Sequence, residues 1–212
     1  MLIRTLALLL ALCCAPLAWS QTPAAPAAAQ AEKPNAALTT RLALRDLWVE
    51  HIFWVRNYAL ANQNGKAAQA ETAAKEVVAN ATAIANSLQP LYGQPAADQM
   101  LKLLAGHWGA IKDYSDAGVA KDAAKQKAAM DTLVSNAKAI AAFLAKANPY
   151  LPEDTLVTLL SAHGGHHISQ IDQFAKMDYA GEAKTWHAMR EHILGVADAL
   201  AGALVKQFPE KF

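Results

Sequence analysis

Three histidines, His51, His107 and His163, close three matching stretches: Leu47-Trp48-Val49-Glu50-His51, Leu103-Leu104-Ala105-Gly106-His107 and Leu159-Leu160-Ser161-Ala162-His163. Successive members lie 56 residues apart. Leu47, His51, Trp54, Val55 and Tyr58 share one face of a helix, so His51 sits on an apolar stripe, as do His107 between Leu103 and Ile111 and His163 between Leu159 and His167. Neutral imidazoles converging from different helices are a donor set for zinc or copper(II), and three of them with an open position could carry water or a substrate. His163, His166 and His167, at i, i+3 and i+4, put further ring nitrogens near one helical face. A second series at the same 56-residue step, Asn80, Asn136 and His192, shares its stripes with Val77 and Ile84, Leu133 and Ile140, Met189 and Val196. The expected metal ligands are therefore His51, His107, His163, His167 and His192, with His166 behind them and Asn80 and Asn136 completing a polar layer.

The same residues admit a plainer reading. A buried imidazole or carboxamide without a partner costs on the order of 1–3 kcal/mol, and a network in which histidine N–H groups and asparagine amides bond one another would remove that cost and fix helix register. A metal site and a hydrogen-bonded layer both follow from the spacing.

The elements that must position this layer are helices. Alanine is abundant, and from Asn35 onward apolar residues recur at three- and four-residue steps, broken by a few glycines and prolines. Six helices are expected, over about 37–63, 66–88, 96–117, 121–147, 153–177 and 182–207. They end at Asn64-Gly65, Gln89-Pro90, Asn148-Pro149 and Pro209, and Pro152-Glu153-Asp154 opens the fifth. The 56-residue step recurs in the second helix of each pair, where Asn80–Leu88, Asn136–Leu144 and His192–Leu200 align, so the six helices read as three copies of one antiparallel hairpin. The fold expected is an all-α, six-helix bundle of three hairpins occupying 37–212. Folding each hairpin about its turn brings residues such as 51 and 80 to similar heights, so one polar layer should cross an otherwise apolar core.

Other chemistry finds little footing. There is no Gly-x-Ser-x-Gly elbow and no phosphate-cradling glycine loop, so no nucleotide is expected, and Ser161 does not face His163 on a helix. Gly164-Gly165 falls inside a helix, where it would admit a close contact. The absence of Glu-x-x-His and Asp-x-x-His pairs argues against a ferritin-like di-iron centre, and His187 with Glu191 supplies only half of a hemerythrin-like pattern, which places His187 on the rim. Trp48, Trp54, Trp108 and Trp186 read as core aromatics that could also line an apolar pocket.

Residues 1–20 carry a secretory signal pattern: Arg4, an apolar run from Leu6 to Leu17, and Ala18-Trp19-Ser20 before a cut at Gln21. The run is shorter than the roughly 20 residues of a spanning helix, and Leu12 stands where a lipoprotein needs a small residue before Cys13. A periplasmic or secreted protein without an integral membrane segment is expected. Residues 21–36, opening QTPAAPAAAQAEKP, hold no large apolar side chain before the helices begin and read as a flexible leader. Cleavage removes both cysteines and Arg4, leaving 18 basic and 18 acidic residues. Disulfides, thiolate ligands and covalent haem c are thereby excluded, and nothing in the charge balance attracts nucleic acid.

Several features together resemble a group of uncharacterised bacterial helical proteins: Leu47-Trp48-x-x-His51-x-x-Trp54-x-Arg56, the later Leu-Leu-x-x-His107 and Leu-Leu-x-x-His163, Asn148-Pro149-Tyr150, and the ending Lys206-Gln207-Phe208-Pro209-Glu210-Lys211-Phe212. The likeness spans nearly the whole chain after the signal and implies a helical fold. It implies no catalytic residue, and the group's frequent acids at two of these sites are Gly106 and Ala162 here, which argues against a shared carboxylate ligand. Three function classes fit the sequence: a metal-binding protein using zinc or copper, a non-catalytic bundle for a small ligand or a protein partner, and a histidine-metal enzyme with an open coordination position.

Overall fold

The computed structural model describes residues 35–212. The signal peptide expected over 1–20 and the leader through residue 34 lie outside the described residues. The last two leader residues belong to the helical body: the Asn35 side chain accepts from the Leu38 amide at 3.0 Å and caps the first helix, which opens at Ala36. Six long helices follow: α1 (Ala36–Gln63), α2 (Ala67–Asn86), α4 (Gln94–Val119), α5 (Ala123–Ala147), α6 (Glu153–Ala175) and α7 (Tyr179–Gln207). The single turn α3 (Gln89–Tyr92) connects α2 to α4, and no strand occurs among the described residues.

The protein is an all-α bundle of three hairpins, α1–α2, α4–α5 and α6–α7, and their turns repeat at the 56-residue step. Gly65, Lys121 and Met177 each adopt the left-handed conformation, with φ of 67°, 56° and 58°. The next amides, of Lys66, Asp122 and Asp178, reach back to the carbonyls of Ala61, Ala117 and Gln173 at 2.9, 2.9 and 2.8 Å. This is a helix stop with a left-handed residue just past the last turn. Glycine occupies that position without strain in the first hairpin only; the other two hold a side chain there because the fold around the turn dictates it.

Three boundaries differ from the sequence reading. α7 opens at Tyr179 rather than Glu182, because the Asp178 side chain accepts from the Gly181 amide at 2.8 Å and starts the helix a turn earlier. α4 opens at Gln94 with Pro95 in its first turn, and Pro90 likewise sits in the first turn of α3 instead of ending a helix.

Helices α1, α4 and α6 pack against one another in the middle of the bundle. Each outer helix bridges two hairpins: α2 lies on α1 and α4, α5 on α4 and α6, and α7 on α6 and α1. The hairpins thus close into a ring about a pseudo-threefold axis. Equivalent side chains join the first two seams, Tyr58 donating to Asp116 at 2.6 Å and Tyr114 to Asp172 at 3.1 Å, again one repeat apart. The third seam is built differently. Gln170 stands where a third tyrosine would fall and donates to Glu182 at 2.8 Å, and Glu182, buried on α7, receives both arms of the Arg56 guanidinium. Arg41 and Arg45 extend the seam by pairing with Asp198.

The apolar core falls into two bodies. One gathers Leu44, Trp48, Met100, Leu104, Leu156, Leu160 and the facing residues of α7; the other gathers Val55, Tyr58, Trp108, Ile111, Tyr114, Ile171 and Phe174. Along each inner helix the change from one body to the other comes beside His51, His107 and His163. Gly164 permits a close approach here, since a Cβ on it would lie 3.2 Å from Leu133 Cδ2 of α5; around Gly165 the space is open, so only one glycine of the pair serves a close contact.

Candidate metal centre

His51 from α1, His107 from α4 and His163 from α6 meet on the axis of the ring. Their ring centroids lie 6.2, 5.4 and 5.5 Å apart, a nearly equilateral triangle. One helical turn further along α6, His167 stands over this triangle, with its ring 5.7, 6.4 and 4.5 Å from those of His51, His107 and His163. The repeat places Val55 and Ile111 at the positions equivalent to His167. The threefold layer therefore supplies three imidazoles, and one departure from the repeat supplies a fourth at the apex of a tetrahedron.

All four side chains are buried, exposed by no more than 4%. One nitrogen from each ring falls within 4.8 Å of one nitrogen from every other ring, and no carboxylate joins the group among the described residues. His163 Nε2 and His167 Nε2 approach to 3.2 Å. Donors about 2.0–2.1 Å from a tetrahedral ion are separated by about 3.3 Å from each other, so this pair already has the spacing of two ligands on one ion.

The remaining ring nitrogens are unpartnered. Both nitrogens of His51, both of His107, Nδ1 of His163 and Nδ1 of His167 have no hydrogen-bond partner among the described residues. A buried hydrogen-bonded layer would have satisfied them. Burial holds all four rings neutral: loss of solvation pushes the His51 pKa down to about 3 and that of His107 down to about 4, and drives those of His163 and His167 well below the ordinary value, with the neighbouring histidines adding to the effect at all but His107. Neutral imidazole is the form that ligates metals.

The other expected site residues have different roles. Asn80 and His192 stand outside the group of four, and Asn136 touches it only at His107, whose pKa it raises against the larger effect of burial. Each reaches from the outer helix of its hairpin to a backbone carbonyl of the inner one: Asn80 Nδ2 to Leu47 at 3.0 Å, Asn136 Nδ2 to Leu103 at 3.0 Å, and His192 Nε2 to Leu159 at 3.0 Å. These are three copies of one inter-helix staple, in which His192 takes the place of an asparagine. The expectation that His192 is a ligand fails for that reason. His166 packs beside His192 with ring centroids 5.6 Å apart, half-buried and away from the axis, and His187 is exposed. Trp48 stands edge-on to His51 and His163, at 5.8 and 6.4 Å, and forms one wall of the centre. The enclosed apolar cavity behind it, bounded by Leu44, Trp48, Met100 and Leu144, measures about 30 Å³. That is room for about two water-sized molecules and far too little for an organic ligand. The buried Glu182 of the third seam was not evident from the sequence; its one signal was Arg56, a cation close to the apolar stripe of α1.

No family model matches the chain, and no curated protein or solved structure matches it either. Among the described residues, no helix is long and apolar enough to cross a membrane.

Proposed function

We propose that the protein binds a single zinc or copper ion through His51, His107, His163 and His167. The observation that carries this reading is the convergence of four buried, neutral imidazoles, each of which brings one ring nitrogen to within 4.8 Å of one from every other. A cation at the centre would take one nitrogen from each of the four rings, including one from His51, whose two nitrogens otherwise lack a partner. His167 also decides between two metal chemistries. Three histidines would leave an open position for water or a substrate, whereas a fourth at the apex closes the coordination shell, so the centre holds an ion rather than activating water. The apolar residues around it, with no catalytic acid or base in reach, support the same role.

The N-terminal pattern around Ala18-Trp19-Ser20 supports an exported setting for this activity, and an intact mass beginning at Gln21 is the check. The metal reading is tested by titrating metal-free protein with zinc and with copper against a competing chelator. One ion per chain should bind, and His163→Ala should abolish stoichiometric binding while circular dichroism shows the helices intact. If neither ion binds the wild type, or if the alanine variant binds as tightly, the proposal is wrong.

A further inference from the structure

We infer that the four-histidine centre selects cuprous copper over zinc and cupric copper, an inference that rests on the metal site proposed above. Three features of the site carry it. The first is charge: among the described residues no carboxylate belongs to the cluster, which lies between two apolar core bodies, and Glu50, next to His51, accepts from Asn80. Asp116 is bound to Tyr58, Asp172 to Tyr114, and Glu182 to Arg56 and Gln170. An ion here keeps its whole charge inside an apolar core, and because the desolvation cost rises with the square of the charge, a monovalent ion incurs about a quarter of the penalty of a divalent one.

The second feature is shape. His51, His107 and His163 form a triangle, and His167 stands over it from the next helical turn. Cupric copper prefers a square-planar or tetragonal set of nitrogen and oxygen donors, while cuprous copper, with a filled d shell like zinc, accepts a tetrahedron. Flattening this one would require the His167 ring to leave its place over the triangle.

The third feature separates cuprous copper from zinc. Histidines that hold zinc donate their second ring nitrogen to a carboxylate, a carbonyl or water, which raises the basicity of the ligating nitrogen. None of the four rings has such a partner: Nδ1 of each is buried and unpaired. Without that support these rings are weaker donors to zinc, whose histidine sites rely on it, and the loss matters less for a monovalent ion.

The experiment uses the full chain, kept without oxygen. Metal-free protein competes for cuprous copper against bathocuproine disulfonate, and separately for zinc and cupric copper against chelators of known affinity. Cuprous copper should bind at one per chain, without a cupric paramagnetic resonance signal, and at least about 10³-fold more tightly than cupric copper, which places the midpoint potential about 180 mV above that of the unbound couple. Zinc should bind more weakly than cuprous copper. Zinc or cupric copper binding as tightly as cuprous copper overturns the selectivity and leaves the metal site standing. Binding of none of the three overturns the site itself and the selectivity with it.

Discussion

Acidifying the metal-free protein from pH 6.5 towards pH 4 will unfold it cooperatively. In the unfolded chain each histidine takes up a proton near pH 6.5, whereas in the fold His107 does so only near pH 4 and His51 only near pH 3, with His163 and His167 also far below the ordinary value. Between these limits the unfolded state binds more protons than the native one, so stability is complete above about pH 6.5 and falls as the pH falls. Each histidine kept neutral costs about 1.4 kcal/mol for every pH unit below 6.5, and four of them act together. Set against a typical total of about 5–15 kcal/mol, that slope puts the acid midpoint at about pH 4–6. The Asp198 carboxylate, held near pH 2 by the Arg41 hydrogen bonds and, less strongly, by Arg45, keeps its stabilising effect through this range and loses it only as the pH falls below about 4. Circular dichroism against pH reads the transition directly. A protein that keeps its helices down to pH 3 would show that the four rings are not held neutral by burial. Bound metal should move the midpoint to lower pH, because protons and metal compete for the same ring nitrogens.

Replacing His107 with leucine should stabilise the metal-free protein and at the same time weaken its stabilisation by metal. His107 is buried, its only polar neighbour outside the cluster is Asn136, with which neither ring nitrogen forms a full hydrogen bond, and leucine has similar volume, so His107→Leu removes poorly satisfied polar atoms with little change in packing. The gain expected is about 1–3 kcal/mol, or about 2–4 °C in Tm for each kcal/mol in a chain of this length. With metal the order reverses. At free metal about a thousandfold above Kd the wild type gains about 4 kcal/mol, and the variant, left with three ligands, gains less. A hydrogen-bonded polar layer predicts the opposite sign without metal, since leucine would break the network. Thermal unfolding of both proteins, with and without metal, therefore separates the two readings through the sign of a single difference.

The reach of the sequence is clearest where the repeat is strictest. His51, His107 and His163 could be placed on one layer because their 56-residue step coincides with helical stripes, and the same step turns out to govern the turn residues Gly65, Lys121 and Met177. His167 was found by its i+4 relation to His163, although its position at the apex depends on three helices crossing at a common height, which no local pattern encodes. The reading of His192 failed because inner and outer helices carry equally apolar stripes, and periodicity does not say which face meets the axis. A sharper signal was present: the series Asn80, Asn136, His192 alternates residues that share an N–H donor but not metal affinity, and donation to Leu47, Leu103 and Leu159 is what they have in common. Glu182 escaped notice because it pairs with Arg56 across 126 residues, at a seam where the repeat has been abandoned.

X-ray absorption at the metal edge of loaded protein tests the central claim most directly. The account predicts four nitrogen donors at about 2.0–2.1 Å with the outer-shell scattering of four imidazoles, and neither sulfur nor carboxylate in the first shell. A shell of two imidazoles or fewer, or one completed by carboxylate oxygen, would place the ion among the outer residues such as His166 and His187 and contradict a centre built from His51, His107, His163 and His167.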